Sequence, residues 1–165
     1  MSTGARASCK CGKVEFEMIG LPIMCVACYC DDCQAASQQI EALPNASAVR
    51  EPDGGTAYVL YRKDRFKCIR DEQFLQNHRL LENSPTRRVI ASCCNSAMFL
   101  DFEKGHWVSV YRARIADAPS LQMRIQTKFS SNPAQMRNDI PTYSTFPMRF
   151  ILNLVLARVA MLFER

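Results

Sequence analysis

Seven of the nine cysteines in this 165-residue chain fall into three tight groups: Cys9-Lys10-Cys11-Gly12, Cys28-Tyr29-Cys30-Asp31-Asp32-Cys33, and Cys93-Cys94. Thiolates two or three residues apart reach a common ion from one tight turn, and tetrahedral Zn²⁺ favours such close pairs. Gly12 suits a backbone wrapping round a metal, where unusual φ/ψ values are common. The alternative, that these thiols are small buried hydrophobes, does not account for their clustering. Four ligands saturate a structural zinc, so seven thiols predict two sites or a cluster. Cys9, Cys11, Cys93 and Cys94 make a cross-strand clamp. Cys28, Cys30 and Cys33 make a three-thiolate site, and three protein ligands with an open fourth position mark a catalytic or ligand-exchanging zinc. Cys25 is the alternative fourth ligand that would close that site. Iron–sulfur ligation is a further alternative, since spacing alone does not fix the metal. Cys68 lies among strand residues and reads as core.

The elements that must position these thiols are mostly strands. Lys13 to Met18 alternates polar and apolar, the period of a half-buried strand. Ile23 to Ala27 is apolar and runs into the central cysteine group, and Gln34 to Ile40 reads as a short helix. Residues 44–55, with Pro44, Asn45, Pro52, Asp53, Gly54 and Gly55, are a loop. Thr56 to Tyr61 is rich in strand formers, and Arg65 to Ile69 is a second short strand. Phe74 to Leu81 and Arg87 to Ala91 flank Asn83-Ser84-Pro85-Thr86 as a hairpin. Ala97 to Phe102 and Trp107 to Ile115 add two strands. Residues 116–149, punctuated by Pro119, Pro133, Pro141 and Pro147, read as irregular. The division that follows is a zinc-binding β domain over 1–115 and a basic extension over 116–165 that ends in an apolar helix.

Composition bounds the function. Hydrophobic residues are 48% and charged residues 22%, which excludes disordered and collagen-like chains. Residues 105–165 carry eight Lys/Arg against three Asp/Glu and supply the whole net charge of +5. That basic third could attract acidic ligands, but no base-stacking motif accompanies it and no nucleic-acid partner is expected. The N-terminus has no apolar run, so no secretory signal is expected. An odd cysteine count with tight spacings fits metal-bound thiolates in a reducing, cytoplasmic setting. Phe150 to Phe163 is shorter than the roughly 20 apolar residues of a spanning helix and contains Asn153 and Arg158. No transmembrane segment is expected; the helix docks on the core or on a second subunit, the second case giving a homodimer, and a membrane-surface helix is the lesser alternative.

Ser8-Cys9-Lys10-Cys11-Gly12-Lys13-Val14-Glu15-Phe16-Glu17 resembles the opening motif of the glutathione-dependent formaldehyde-activating enzyme family, which also contains centromere protein V. Cys28-Tyr29-Cys30-Asp31-Asp32-Cys33-Gln34-Ala35-Ala36-Ser37 resembles its second motif, and Cys94-Asn95-Ser96-Ala97-Met98-Phe99 its third. The resemblance covers residues 7 to 115. It implies a mainly β fold of small twisted antiparallel sheets around zinc sites, of the β-tent type. It implies a structural zinc at Cys9, Cys11 and Cys94, and a second zinc at Cys28, Cys30 and Cys33, where the thiol of glutathione binds. The implied activity is that of a carbon–sulfur lyase, adding glutathione or a related thiol reversibly to formaldehyde or another small aldehyde. The chain departs from the family pattern twice. Ala91 stands where the third motif has its first cysteine, which displaces the partner thiol to Cys93, and two adjacent cysteines on one ion need a strained backbone. Tyr29 stands where the second motif commonly has His.

On that reading Cys28, Cys30 and Cys33 are the catalytic candidates. Asp31 and Asp32 either orient a substrate amine or serve as turn residues behind the thiols. Arg112 and Arg114, on one face of a strand, either meet a carboxylate of glutathione or face solvent. His78 and His106, the only imidazoles, read as surface or strand residues, and Trp107 and Tyr111 as packing on the sheet. The competing function is a non-catalytic, zinc-stapled interaction module, since the fold alone does not entail catalysis.

Overall fold

A computed structural model describes residues 4–164. In chain order its strands are β1 Gly4–Ser8, β2 Glu15–Ile19, β3 Met24–Cys28, β4 Thr56–Arg62, β5 Phe66–Arg70, β6 Leu75–His78, β7 Thr86–Ala91, β8 Ser96–Phe102, β9 Trp107–Tyr111 and β10 Met123–Ile125. The two α-helices are α1, Asp31–Glu41, and α2, Met148–Phe163. The strands form a three-stranded sheet, β1-β2-β5, and a seven-stranded sheet, β10-β3-β4-β9-β8-β7-β6. Every strand pair is antiparallel except β10 with β3, so the larger sheet is mixed. The protein is mainly β.

Alternation along the central strands sorts the core. On β3, β4 and β9, Cys25, Val59, Tyr61, Val108 and Val110 face the small sheet. Their neighbours Met24, Val26, Cys28, Tyr58, Leu60 and Tyr111 face the other side. Successive side chains of a strand point to opposite faces, so one strand serves both cores. In the first core Phe16 stacks on Phe66 at 4.6 Å and meets Phe99 edge-on at 5.2 Å. A register shift between Val89 and Ile90 lets the consecutive Met98 and Phe99 both enter it, as a bulge does.

The second face is covered by α1, through Cys33 and Ile40, and by Phe150 of α2. Helix α2 is pinned at several points. The His106 Nε2 donates to the Leu154 carbonyl at 2.7 Å, and Arg62 and Arg65 both bind the Glu164 carboxylate at its end. Its outward side, including Leu152, Val155, Leu156 and Leu162, is exposed. Among the described residues no helix is long and apolar enough to cross a membrane.

Several elements differ from their sequence reading. Helix α1 starts at Asp31 rather than Gln34: Cys30 takes the N-cap, and Asp31 and Asp32 occupy the first turn, where carboxylates favour the helix dipole. The strand expected over Trp107 to Ile115 stops at Tyr111, and Arg112–Arg114 is a 3-10 turn. The strand expected over Phe74 to Leu81 is confined to Leu75–His78, paired with β7 as the hairpin reading requires. Met123–Ile125, inside the stretch read as irregular, extends the large sheet. Gly4–Ser8, left unassigned in the sequence, pairs with β2.

Candidate functional site

The first thiol cluster joins two turns. After β1 the Cys9 N–H donates to the Val14 carbonyl, the Gly12 N–H to the Cys9 carbonyl, and the Val14 N–H to Cys9 Sγ at 3.3 Å. This loop closes through the left-handed Gly12, at φ 75°. Between β7 and β8 the second turn presents Cys93 and Cys94. The sulfurs lie 3.6 Å apart for Cys9–Cys11, 3.8 Å for Cys9–Cys93, 3.4 Å for Cys11–Cys93 and 3.9 Å for Cys93–Cys94. Zn–S bonds of about 2.3 Å in a tetrahedron set sulfurs roughly 3.8 Å apart, so this donor set fits a four-coordinate zinc. The strained backbone expected of two adjacent ligands does not fall on Cys93 or Cys94; the left-handed residue of the turn is Asn95, at φ 50°. Asn tolerates that conformation, and the Asn95 side chain donates to the Pro44 carbonyl.

Ser96 ties the two turns together. Its Oγ accepts from the Lys10 N–H at 3.0 Å and from Arg114 at 3.3 Å, and lies 3.1 Å from Cys94 Sγ. Burial pushes the Cys94 thiol up, but hydrogen bonds from Ser96, the Cys11 backbone and the Cys9 and Cys11 thiols outweigh it and hold it at about 6. One member of the cluster is thus predisposed to ionise.

The second cluster is local. Cys28 ends β3, Cys30 caps α1, and Cys33 sits in its first turn; all three sulfurs lie within 4.8 Å of one another. Cys25 does not join them. It points to the opposite core, where its Sγ–H donates to the Pro119 carbonyl and burial raises it to about 11, so it remains a thiol. The three clustered thiols share protons unevenly. Hydrogen bonds from Cys28 and Cys33, the Cys33 N–H and the nearby Arg88 hold Cys30 far below the usual thiol range. The same crowding drives Cys28 far up, since it must give its proton toward Cys30. A divalent cation is the group that lets three such thiols ionise together. The donor set therefore fits zinc with three ligands.

These thiols open on a cavity of about 230 Å³. Its walls include Val26, Leu60, Leu100, Trp107, Phe146 and Phe150, with Thr86 and Ser109 as polar points. Phe146 stacks on Phe150 at 5.1 Å, so the approach to α2 roofs the thiols. Arg88 also lines the cavity and is only 2% exposed. Its Nη2 donates to the Asp32 carbonyl at 3.2 Å, and its Nε has no hydrogen-bond partner among the described residues. Tyr58 lies below and donates its hydroxyl to Cys33 Sγ at 3.6 Å. A wider hollow of about 500 Å³ lies against Cys11, Cys93 and Cys94, but that cluster already offers four ligands.

The other sequence candidates lie elsewhere. Asp32 lines the cavity, whereas Asp31 is exposed on the first turn of α1. Tyr29 turns away from the sulfurs and donates to Asp53 at 2.6 Å. His78 meets Gln39, and His106 holds α2. Arg112 donates to the Pro119 carbonyl, and Arg114 lies beside the four-thiol cluster, so neither lines the cavity. Cys68 is half-buried, its thiol donating to the Arg70 carbonyl. Arg88, Tyr58, Ser96, Phe146 and Phe150 were not singled out from sequence. The signal available for Arg88 was a cation directly before the apolar run Val89 to Ala91, within one strand.

A mainly β fold with a four-thiol and a three-thiol cluster, both compatible with metal binding, defines the class. The sequence profile of the glutathione-dependent formaldehyde-activating enzyme family matches residues 4–130, and the chain belongs to that family. A Rhodobacter sphaeroides protein of known crystal structure is similar in fold, with a TM-score of 0.50 at 13% identity over 83% of this chain and 98% of that one. No curated protein matches the chain.

Proposed function

We propose that the protein is a carbon–sulfur lyase that carries two zinc ions and adds glutathione or a related thiol reversibly to formaldehyde or another small aldehyde. Cys9, Cys11, Cys93 and Cys94 would hold a structural zinc, and Cys28, Cys30 and Cys33 a second. The observation that carries this reading is the three-thiol cluster with a cavity beside it, the fourth candidate Cys25 lying on the opposite face. Zinc at the three-thiol site would lower the pKa of an incoming thiol and so supply it as thiolate.

The chain's own groups supply the rest. The Tyr58 hydroxyl orients Cys33 and tempers its charge. Phe146 and Phe150 give the cavity an apolar wall beside the thiols, where an electrostatic contact is stronger than in water. The thiol sulfur bonds the carbonyl carbon, the carbonyl π pair moves to oxygen, and a proton replaces the one the thiol lost. The product is a hemithioacetal, and neither oxidant nor reductant is needed. With nine free thiols the protein would work in a reducing compartment, the cytoplasm.

Cobalt(II) substitution tests this, because cobalt reports thiolate number and geometry where zinc is silent. Two cobalt ions should bind, and glutathione should shift one of two sets of bands. Bands that do not move with glutathione would reject thiol binding and favour a zinc-stapled interaction module.

A further inference from the structure

The cavity beside Cys28, Cys30 and Cys33 is poorly matched to formaldehyde. A cavity of about 150 Å³ holds benzene, so 230 Å³ accommodates a ring or a six-carbon chain with atoms to spare. Formaldehyde would leave most of that volume unfilled. Glutathione, a tripeptide with two carboxylates and an ammonium, would place only its thiol end inside.

The walls are mostly apolar; among the described residues Asp32 is the one acidic residue lining the cavity and Arg88 the one cation. Its guanidinium is buried, and one arm is fixed by the Asp32 carbonyl. Hydrogen bonds from a charged donor are stronger than those from a neutral one, so a buried guanidinium at the cavity wall favours an acceptor oxygen placed against it. A ligand that fills this space therefore has an apolar body and one acceptor oxygen.

We infer that the acceptor substrate of this site is an aldehyde with an apolar body of about six carbons, its carbonyl oxygen received by Arg88. The inference rests on the thiol-addition reading and narrows it. Addition of the thiol turns the carbonyl oxygen into an alkoxide before it takes a proton. A fixed guanidinium beside that oxygen favours this charge more than the neutral carbonyl, as an oxyanion hole does.

Trp107 lines the cavity and is the chain's only tryptophan, so its fluorescence reads occupancy directly. The zinc-loaded protein is titrated, without thiol, with two unreactive carbonyl analogues, hexanamide and acetamide. Each buried methylene strengthens binding roughly fourfold. The four extra methylenes of hexanamide should therefore make it about two-hundredfold tighter. Arg88→Met should weaken hexanamide about tenfold, the value of a hydrogen bond to a charged group. A preference for hexanamide below tenfold in the unaltered protein overturns the inference, whether or not Arg88→Met folds. Saturable hexanamide binding with cobalt bands that ignore glutathione supports the chamber while rejecting thiol addition. Bands that respond to glutathione, with no hexanamide binding, reject the chamber alone.

Discussion

Replacing Cys9 and Cys11 together by serine should remove the clamp between the first turn and the β7–β8 turn. Cys9 and Cys93 are 84 positions apart, so a metal shared between them closes a loop of that length. The chain-entropy relation for a cross-link gives about 4.5 kcal/mol for such a loop at 25 °C. Domains of this size are stable by only about 5–15 kcal/mol, so the clamp is a large part of the total. With a urea slope of about 2 kcal/mol per molar, the unfolding midpoint should fall by about 2 M. Zinc content should fall from two ions to one, because Cys28, Cys30 and Cys33 share no residue with the clamp. Cys68→Ser, outside both clusters, is the control and should change stability by less than about 1 kcal/mol. A double variant that loses under about 1 kcal/mol, or that still binds two zinc ions, would refute the clamp.

Tyr58→Phe removes the donor to Cys33 Sγ; it should weaken metal at the three-thiol site about tenfold, read by competition with a chromophoric chelator, and leave the four-thiol site unchanged. Gly12→Ala puts a side chain where φ is +75° but where a Cβ meets nothing within 4 Å. Its cost is backbone strain alone, about 1 kcal/mol, seen as a fall of about 3 °C in thermal midpoint. Burial first, and then the charges of Arg158, Lys63 and Arg62, hold His106 below its ordinary 6.5. Its folded pKa is depressed, so the neutral ring is the stabilising form. That contribution is complete above about pH 6.5 and is lost as pH falls through the folded value. Acid also expels metal from thiolates, so the readout is the stability difference between wild type and His106→Gln, which should shrink from pH 7.5 to pH 5.

The two thiol clusters were legible because ligand spacing is local and chemically specific. Cys28, Cys30 and Cys33 needed only a strand end and a helix start to converge. Cys93 was harder, because two adjacent ligands look strained until Asn95 takes up the left-handed turn. Whether Cys25 closed the second site was open in sequence, and strand alternation answers it: Cys25 and Cys28 are three apart on β3 and face opposite cores. Arg88 could not be placed. It follows Arg87, and only the register of β7 on β8 sends Arg87 to Asp101 while burying its neighbour against the thiols. Strand β10 is three residues long, too short for any period, and is fixed by pairing with β3. The roof was missed for a related reason. Phe146 and Phe150 lie about 120 positions from the thiols they cover, and nothing local marks that contact.

The span between the halves of the four-thiol cluster also sets an order of events during synthesis. A ribosome adds roughly 5–20 residues each second. The 84 positions from Cys9 to Cys93 therefore take about 4–17 s to make. Through that interval Cys9 and Cys11 stand exposed two residues apart without their partners, whereas Cys28, Cys30 and Cys33 are made within about a second of one another. A nascent chain is thus equipped to complete its three-thiol site first. Its N-terminal strand remains open to oxidation or to the wrong metal until the β7–β8 turn emerges.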